Sequence, residues 1–130
     1  MSKHFLISIV DNDPSVREGT KDLVEAMGFA AESFECADDF LKSNVLHSTS
    51  CLILDVQMPG MDGFELRNRL ASFAKAIPTI FITAFPEQRD RARALRTGAV
   101  CYLSKPFKER ELLACIQAAL RYWKADTRAS

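Results

Sequence analysis

The chain has no net charge: 17 Lys and Arg residues balance 17 Asp and Glu residues over 130 positions. A domain that binds nucleic acid in its own right carries a strong basic excess, so this one is not expected to do so. No apolar stretch is long enough to span a bilayer, so no membrane segment is expected. The short apolar run at residues 5–10 follows Lys3 and His4 as in a signal peptide, but it runs straight into Asp11. There is no glycine-rich phosphate loop and no GxGxxG, so a nucleotide is not the expected ligand. The four cysteines, Cys36, Cys51, Cys101 and Cys115, show no CxxC and no pairing with His. They read as reduced, small core residues of a cytoplasmic protein. His4 and His47 have no ligand-like neighbours.

What is present is a core. Apolar residues make up 48% of the chain, and 130 residues fit one domain. The organising stretch is residues 51–54, an unbroken apolar run that ends in Asp55 and then in the Met58-Pro59-Gly60 turn. A run this short reads as a strand buried on both faces, which is typical of a parallel sheet. Further strands are expected at residues 5–10, 30–34, 79–83 and 99–103. Between them the spacing predicts helices.

The first helix carries Val16, Thr20, Leu23, Val24 and Met27, with Asp13 as its cap, Pro14 at its first position and Gly28 as its stop. Asp38 or Asp39 starts a short second one. Asp62 caps a third, with Phe64, Leu66, Leu70 and Phe73 inward. Residues 87–97 form a charged fourth helix, whose Arg89, Arg91, Arg93 and Arg96 make either a solvated face or part of a partner surface. The last helix covers residues 109–123, with a stripe from Leu112 to Trp123, and residues 124–130 read as a tail or the start of a linker. Alternation of five strands and five helices implies an α/β doubly wound parallel sheet, (βα)5, with right-handed crossovers.

Strands one, three, four and five each end at or just before a polar residue: Asp11, Asp55, Thr83 and Lys105. In such a sheet these ends meet at one edge, where open α/β folds place their chemistry. Asp11, Asp13 and Asp55 gather negative charge, which calls for a cation, and a hard oxygen-liganded ion such as Mg²⁺ fits. Acids, a metal, a Lys and a hydroxyl around one carboxylate make a site for a phosphoryl group. Asp55 would be the nucleophile, giving an acyl phosphate.

Val10-Asp11-Asn12-Asp13, Leu54-Asp55 with Met58-Pro59-Gly60, Thr83-Ala84 and Lys105-Pro106-Phe107 together resemble the receiver domain of two-component response regulators, over residues 5 to about 122. The surrounding text, at Ser15-Val16-Arg17, residues 34–41 and Gly98-Ala99-Val100, is similar to the LuxR/FixJ type of transcription regulator. The resemblance implies a flavodoxin-like sheet of strand order 2-1-3-4-5, and phosphorylation of Asp55 by a sensor histidine kinase with Mg²⁺. It assigns Lys105 to the phosphoryl group, Thr83 to a switch hydroxyl and Tyr102 to an aromatic switch that turns inward. Tyr102 taken alone reads as a plain surface aromatic. The resemblance also assigns the Gln57 backbone carbonyl to the metal, and Gln57 and Phe85 to the lifetime of the phosphate. Homodimerisation through the fourth helix, fifth strand and fifth helix, or release of an output domain, follows. The only chemistry implied is Mg²⁺-dependent self-phosphorylation and autodephosphorylation.

One position departs from the pattern. The second acid after strand one is replaced by Asn12, whose amide oxygen can coordinate but brings no charge. Weaker Mg²⁺ binding is expected, and Asp13, one residue on, points elsewhere. A pseudo-receiver that acts as a protein-interaction module is therefore an alternative. Asp11-Asn12-Asp13 also resembles the nucleophile motif of haloacid-dehalogenase-type phosphatases. That reading lacks the later acidic pair and leaves Asp55 unexplained.

Overall fold

The computed structural model describes residues 5–72 and 76–129, with side chains described as far as Arg121. The elements are β1 (Leu6–Val10), α1 (Pro14–Ala26), β2 (Ala30–Phe34), α2 (Ala37–Leu41), β3 (Cys51–Asp55), α3 (Gly63–Leu70), β4 (Thr79–Thr83), α4 (Gln88–Arg96), β5 (Cys101–Ser104) and α5 (Glu109–Ala129), with a 3₁₀ turn at Leu46–Ser48. The sheet has the order β2-β1-β3-β4-β5 and every pairing is parallel. This is the flavodoxin-like arrangement.

Side chains alternate between the two faces of the sheet, and the central strands β3 and β4 are buried at every position. On β3, Leu52 and Leu54 enter a cluster with Phe40, Phe64, Leu66, Phe81 and Tyr102, under α2, α3 and α4. Ile53 points the other way, into a cluster with Ile7, Ile9, Val24, Leu112 and Ile116, under α1 and α5. Each face of the sheet is thus covered by helices. Register then lines up the strand ends, with Val10 beside Leu54, Asp55 beside Ile82, and Thr83 beside Ser104.

Helix ends follow local chemistry. Asp13 accepts from Ser15 N at 3.0 Å and Val16 N at 3.4 Å, with Pro14 at the first position of α1. Asp62 and Glu65 form a reciprocal capping box on α3. Gly28 and Gly98, at φ 97° and 84°, carry the chain out of α1 and α4.

The structure differs from the sequence reading in several places. β5 begins two residues later than expected because Ala99 N still donates to Ala94 O, closing α4. The N-cap of α2 is Cys36, and Asp38 and Asp39 lie in its first turn, where the helix dipole favours them. α5 continues to Ala129 instead of ending at residue 123; no Gly or Pro interrupts residues 109–129. The cysteine reading is corrected at two positions. Cys101 and Cys115 are joined by a disulfide, whereas Cys36 and Cys51 are free. His4, Phe73 and the side chain of Trp123 lie outside the described residues. Among the described residues, no helix is long and apolar enough to cross a membrane.

Candidate functional site

Asp11 leaves the end of β1 fully buried, and Asp55 ends β3 with 4% of its surface exposed. Lys105, just past β5, reaches between them. Its Nζ lies 2.9 Å from Asp11 Oδ2 and 3.4 Å from Asp55 Oδ2. The Lys105–Pro106 peptide is cis. Asp11 Oδ1 accepts from Asp13 N at 2.9 Å, and the Arg17 guanidinium donates to the Asp11 carbonyl at 2.9 Å. Asp55 Oδ1 accepts a longer bond from Gln57 N at 3.3 Å.

Burial, and next the charge of Asp11, raise the Asp55 carboxyl from 3.8 to about 6, against the lowering influence of Lys105. One ammonium serves two carboxylates, and the site is short of positive charge.

On the β4 side the contacts are neutral. Thr83, fully buried, donates its hydroxyl to Gln57 Oε1 at 2.7 Å and accepts from Phe85 N at 3.0 Å. The Phe85 ring is 69% exposed. Tyr102 is 5% exposed, packed in the core under α4, and Arg91 lies 5.1 Å from its ring centroid. Tyr102 is therefore not a surface aromatic. It points inward in this structure, because its parity on β5 matches that of Phe81 on β4.

The structure thus brings Asp11, Asp55 and Lys105 into mutual contact and puts Gln57 and Thr83 beside them. Asn12 is exposed at the mouth of the site. Asp13 is committed to capping α1, so it does not replace the missing acid. Phe85 bonds to Thr83 through its backbone N–H.

Asp11 Oδ2 is buried and faces Lys105 as an ion pair without an aligned hydrogen bond. The two carboxylates share one cation, and all available donors are hard oxygens. Those features suit a divalent ion that keeps several waters. Among the described residues no group of three His, Cys, Asp or Glu residues is placed to hold a metal ion, and the position next to Asp11 carries the amide of Asn12.

Two site features escaped the sequence reading. A Cβ at Gly63 would collide with the Asp55 backbone oxygen. Gly63 N also donates to Val56 O at 3.0 Å. Glycine therefore lets α3 start hard against the strand end that carries Asp55. The Gln57–Thr83 bond joins residues 26 apart in sequence, and no local pattern announces it.

The family model for the response regulator receiver domain matches residues 7–117. Response regulator protein TodT of Pseudomonas putida is 39% identical over 116 residues, which cover 89% of this chain and 51% of TodT. Nodulation protein W of Bradyrhizobium diazoefficiens is 38% identical over 118 residues, covering 91% of this chain and 52% of that protein. The solved structure of response regulator StyR superposes with a TM-score of 0.87 at 40% identity, covering 95% of this chain and 63% of StyR. The chain spans about half the length of the curated relatives it matches. With its sheet order and the model match over most of its length, the chain belongs to the receiver domains of two-component response regulators, of the FixJ/LuxR type.

Proposed function

We propose that this domain is a phospho-acceptor switch in which Asp55 takes a phosphoryl group from a sensor histidine kinase in the cytoplasm. The observation that carries the reading is the shared ammonium, with Lys105 Nζ within 3.4 Å of both Asp55 and Asp11 at the carboxyl edge of the sheet. Asp55 is held by an apolar strand and is mostly ionised above pH 6, as a nucleophile must be. In the transfer, an Asp55 oxygen forms a bond to phosphorus while the N–P bond of a phosphohistidine breaks. The electron pair goes to the imidazole nitrogen, and Lys105 moves from the carboxylates to a phosphoryl oxygen.

Asp11, Asp55, the Gln57 backbone carbonyl and the Asn12 amide would hold Mg²⁺, which when bound supplies positive charge against the phosphoryl oxygens. Water later attacks the phosphorus, the bond from phosphorus to the Asp55 oxygen breaks, and inorganic phosphate and the Asp55 carboxylate are released. Gln57 and Phe85, at the edge of the site, set how readily that water enters.

Thr83 supplies the switch. An anionic phosphoryl oxygen is a stronger acceptor than the Gln57 amide, since hydrogen bonds to charged acceptors are roughly twice as strong. The Thr83 hydroxyl therefore leaves Gln57 for the phosphoryl group and draws the start of α4 with it. Tyr102 is already seated to receive that change. The remodelled face of α4, β5 and α5 then favours a homodimer or acts on an output domain, here a transcriptional one. An apolar groove lined by Val16, Gly19, Leu23, Pro106 and Phe107 opens beside Lys105. It gives the kinase a place to lie against α1, next to the acceptor.

A second reading, a module that binds partners without phosphorylation, is favoured only by Asn12. The two separate on phosphorylation with acetyl phosphate and Mg²⁺, followed by intact mass. The switch requires one phosphoryl group per chain. An unmodified chain at saturating Mg²⁺ supports the module instead.

A further inference from the structure

The disulfide between Cys101 and Cys115 has no part in phosphoryl chemistry, and it follows from the fold. Alternation along β5 sends Tyr102 toward α4 and Cys101 toward α5. On α5 the buried stripe is Leu112, Cys115, Ile116, Ala119 and Leu120, at helical spacing. The two thiols are therefore presented to each other by the packing that buries the helix. Their Cα atoms are 6.0 Å apart, within the span a disulfide bridges without moving backbone.

The other cysteines take no part. Cys51 is fully buried and burial pushes its thiol far up, which makes it inert. Cys36 follows β2, at the opposite edge of the sheet, separated by four strand spacings, which alone amount to roughly 19 Å.

We propose that Cys101 and Cys115 are a reversible dithiol–disulfide site that exchanges with a low-molecular-weight thiol–disulfide couple, and that its bond fixes β5 against α5. Cys101 is the entry point, since it is partly exposed while Cys115 is buried. The Cys101 thiolate attacks a small disulfide, forms a mixed disulfide and releases one small thiolate. The Cys115 thiolate then attacks the Cys101 sulfur and expels the second. Two protein thiols are oxidised, one small disulfide is reduced, and the two protons leave on the two small thiols. The bond spans two elements of the face assigned above to output, so that consequence rests on the proposed function, whereas the exchange site does not.

The test uses the 130-residue chain and its Asp55→Asn variant, equilibrated in reduced and oxidised glutathione. Thiols are counted after denaturation, and backbone hydrogen exchange is followed in the native protein. Oxidation is expected to lower the count from four thiols to the two of Cys36 and Cys51. Peptide mapping should join Cys101 to Cys115. Exchange should slow by about tenfold in β5 and α5 and stay unchanged in β1 and β2. In Cys115→Ala, Cys101 should retain a glutathione adduct. Four persistent thiols, a bond to Cys36, no adduct in the variant, or equal exchange in both redox forms would each overturn the proposal. Asp55→Asn should show the same thiol counts, the same mapped bond and the same oxidised-to-reduced exchange ratio as the wild type, so a failure of the phosphoryl reading leaves these readouts untouched.

Discussion

Asp11, Asp55 and Lys105 on one side of the carboxyl edge, and Gln57, Thr83 and Phe85 on the other, sit at neighbouring strand ends but work on different scales of energy. The first set is ionic and buried. Its contacts are strong, it carries one positive charge against two negative ones, and it resists change unless a cation or a phosphoryl group alters the balance. The second set is neutral. Each of its hydrogen bonds contributes on the order of 1 kcal/mol, so its partners exchange readily. The difference suggests a division of labour: the charged set captures, and the neutral set reports. Gln57 belongs to both, with its backbone N–H on Asp55 and its side chain on Thr83.

Removing the shared cation is the harshest way to break that comparison. Lys105→Ala leaves two buried carboxylates uncompensated and should cost about 3 kcal/mol at pH 7.5 in chelator, read from the urea midpoint. An unchanged midpoint would show that the ionic set is not under tension.

Asp55→Asn acts in the opposite direction. Because the folded-state carboxyl is raised to about 6, ionisation of Asp55 works against the fold, and the stability that its protonation provides is lost as pH rises through that value. The variant should therefore gain about 2 kcal/mol over wild type at pH 7.5 in chelator. The gain should shrink as pH falls below 6 and vanish near 4, and thermal melts across that range decide it. A constant gain would assign the effect to something other than ionisation.

Both expectations rest on a site that was legible in part. The strand ends could be read because β3 is a continuous apolar run closed by one acid, β1 is a mostly apolar run closed by Asp11, and β4 closes on the hydroxyl of Thr83. The two-faced core followed from that pattern. The Asp13 and Asp62 caps were legible too, being local chemistry. The Cys101–Cys115 pair was not, since it depends on the parity of a four-residue strand against the phase of a helix. The inward seat of Tyr102 had the same origin. α5 runs past its apolar stripe because no Gly or Pro stops the helix between residues 109 and 129.

Smaller effects sharpen the comparison. Asn12→Asp adds a charge at the mouth of the ionic set and should tighten Mg²⁺ by about tenfold in calorimetric titration. Equal affinities would remove Asn12 from the metal site. Gln57→Leu should remove the resting acceptor of Thr83 and lower stability by about 1 kcal/mol. It should also tighten beryllofluoride, a phosphoryl mimic, by about fivefold. In a Thr83→Val background that tightening should disappear. If it persists, Gln57 acts on the acceptor site directly and not through Thr83.

The most direct measurement is the stoichiometry of acid-stable, hydroxylamine-sensitive label after phosphotransfer from a histidine kinase, compared between the wild-type chain and Asp55→Asn. One phosphoryl group on Asp55 in the wild type and none in the variant is the predicted result. Equal labelling of the two chains would contradict Asp55 as the acceptor.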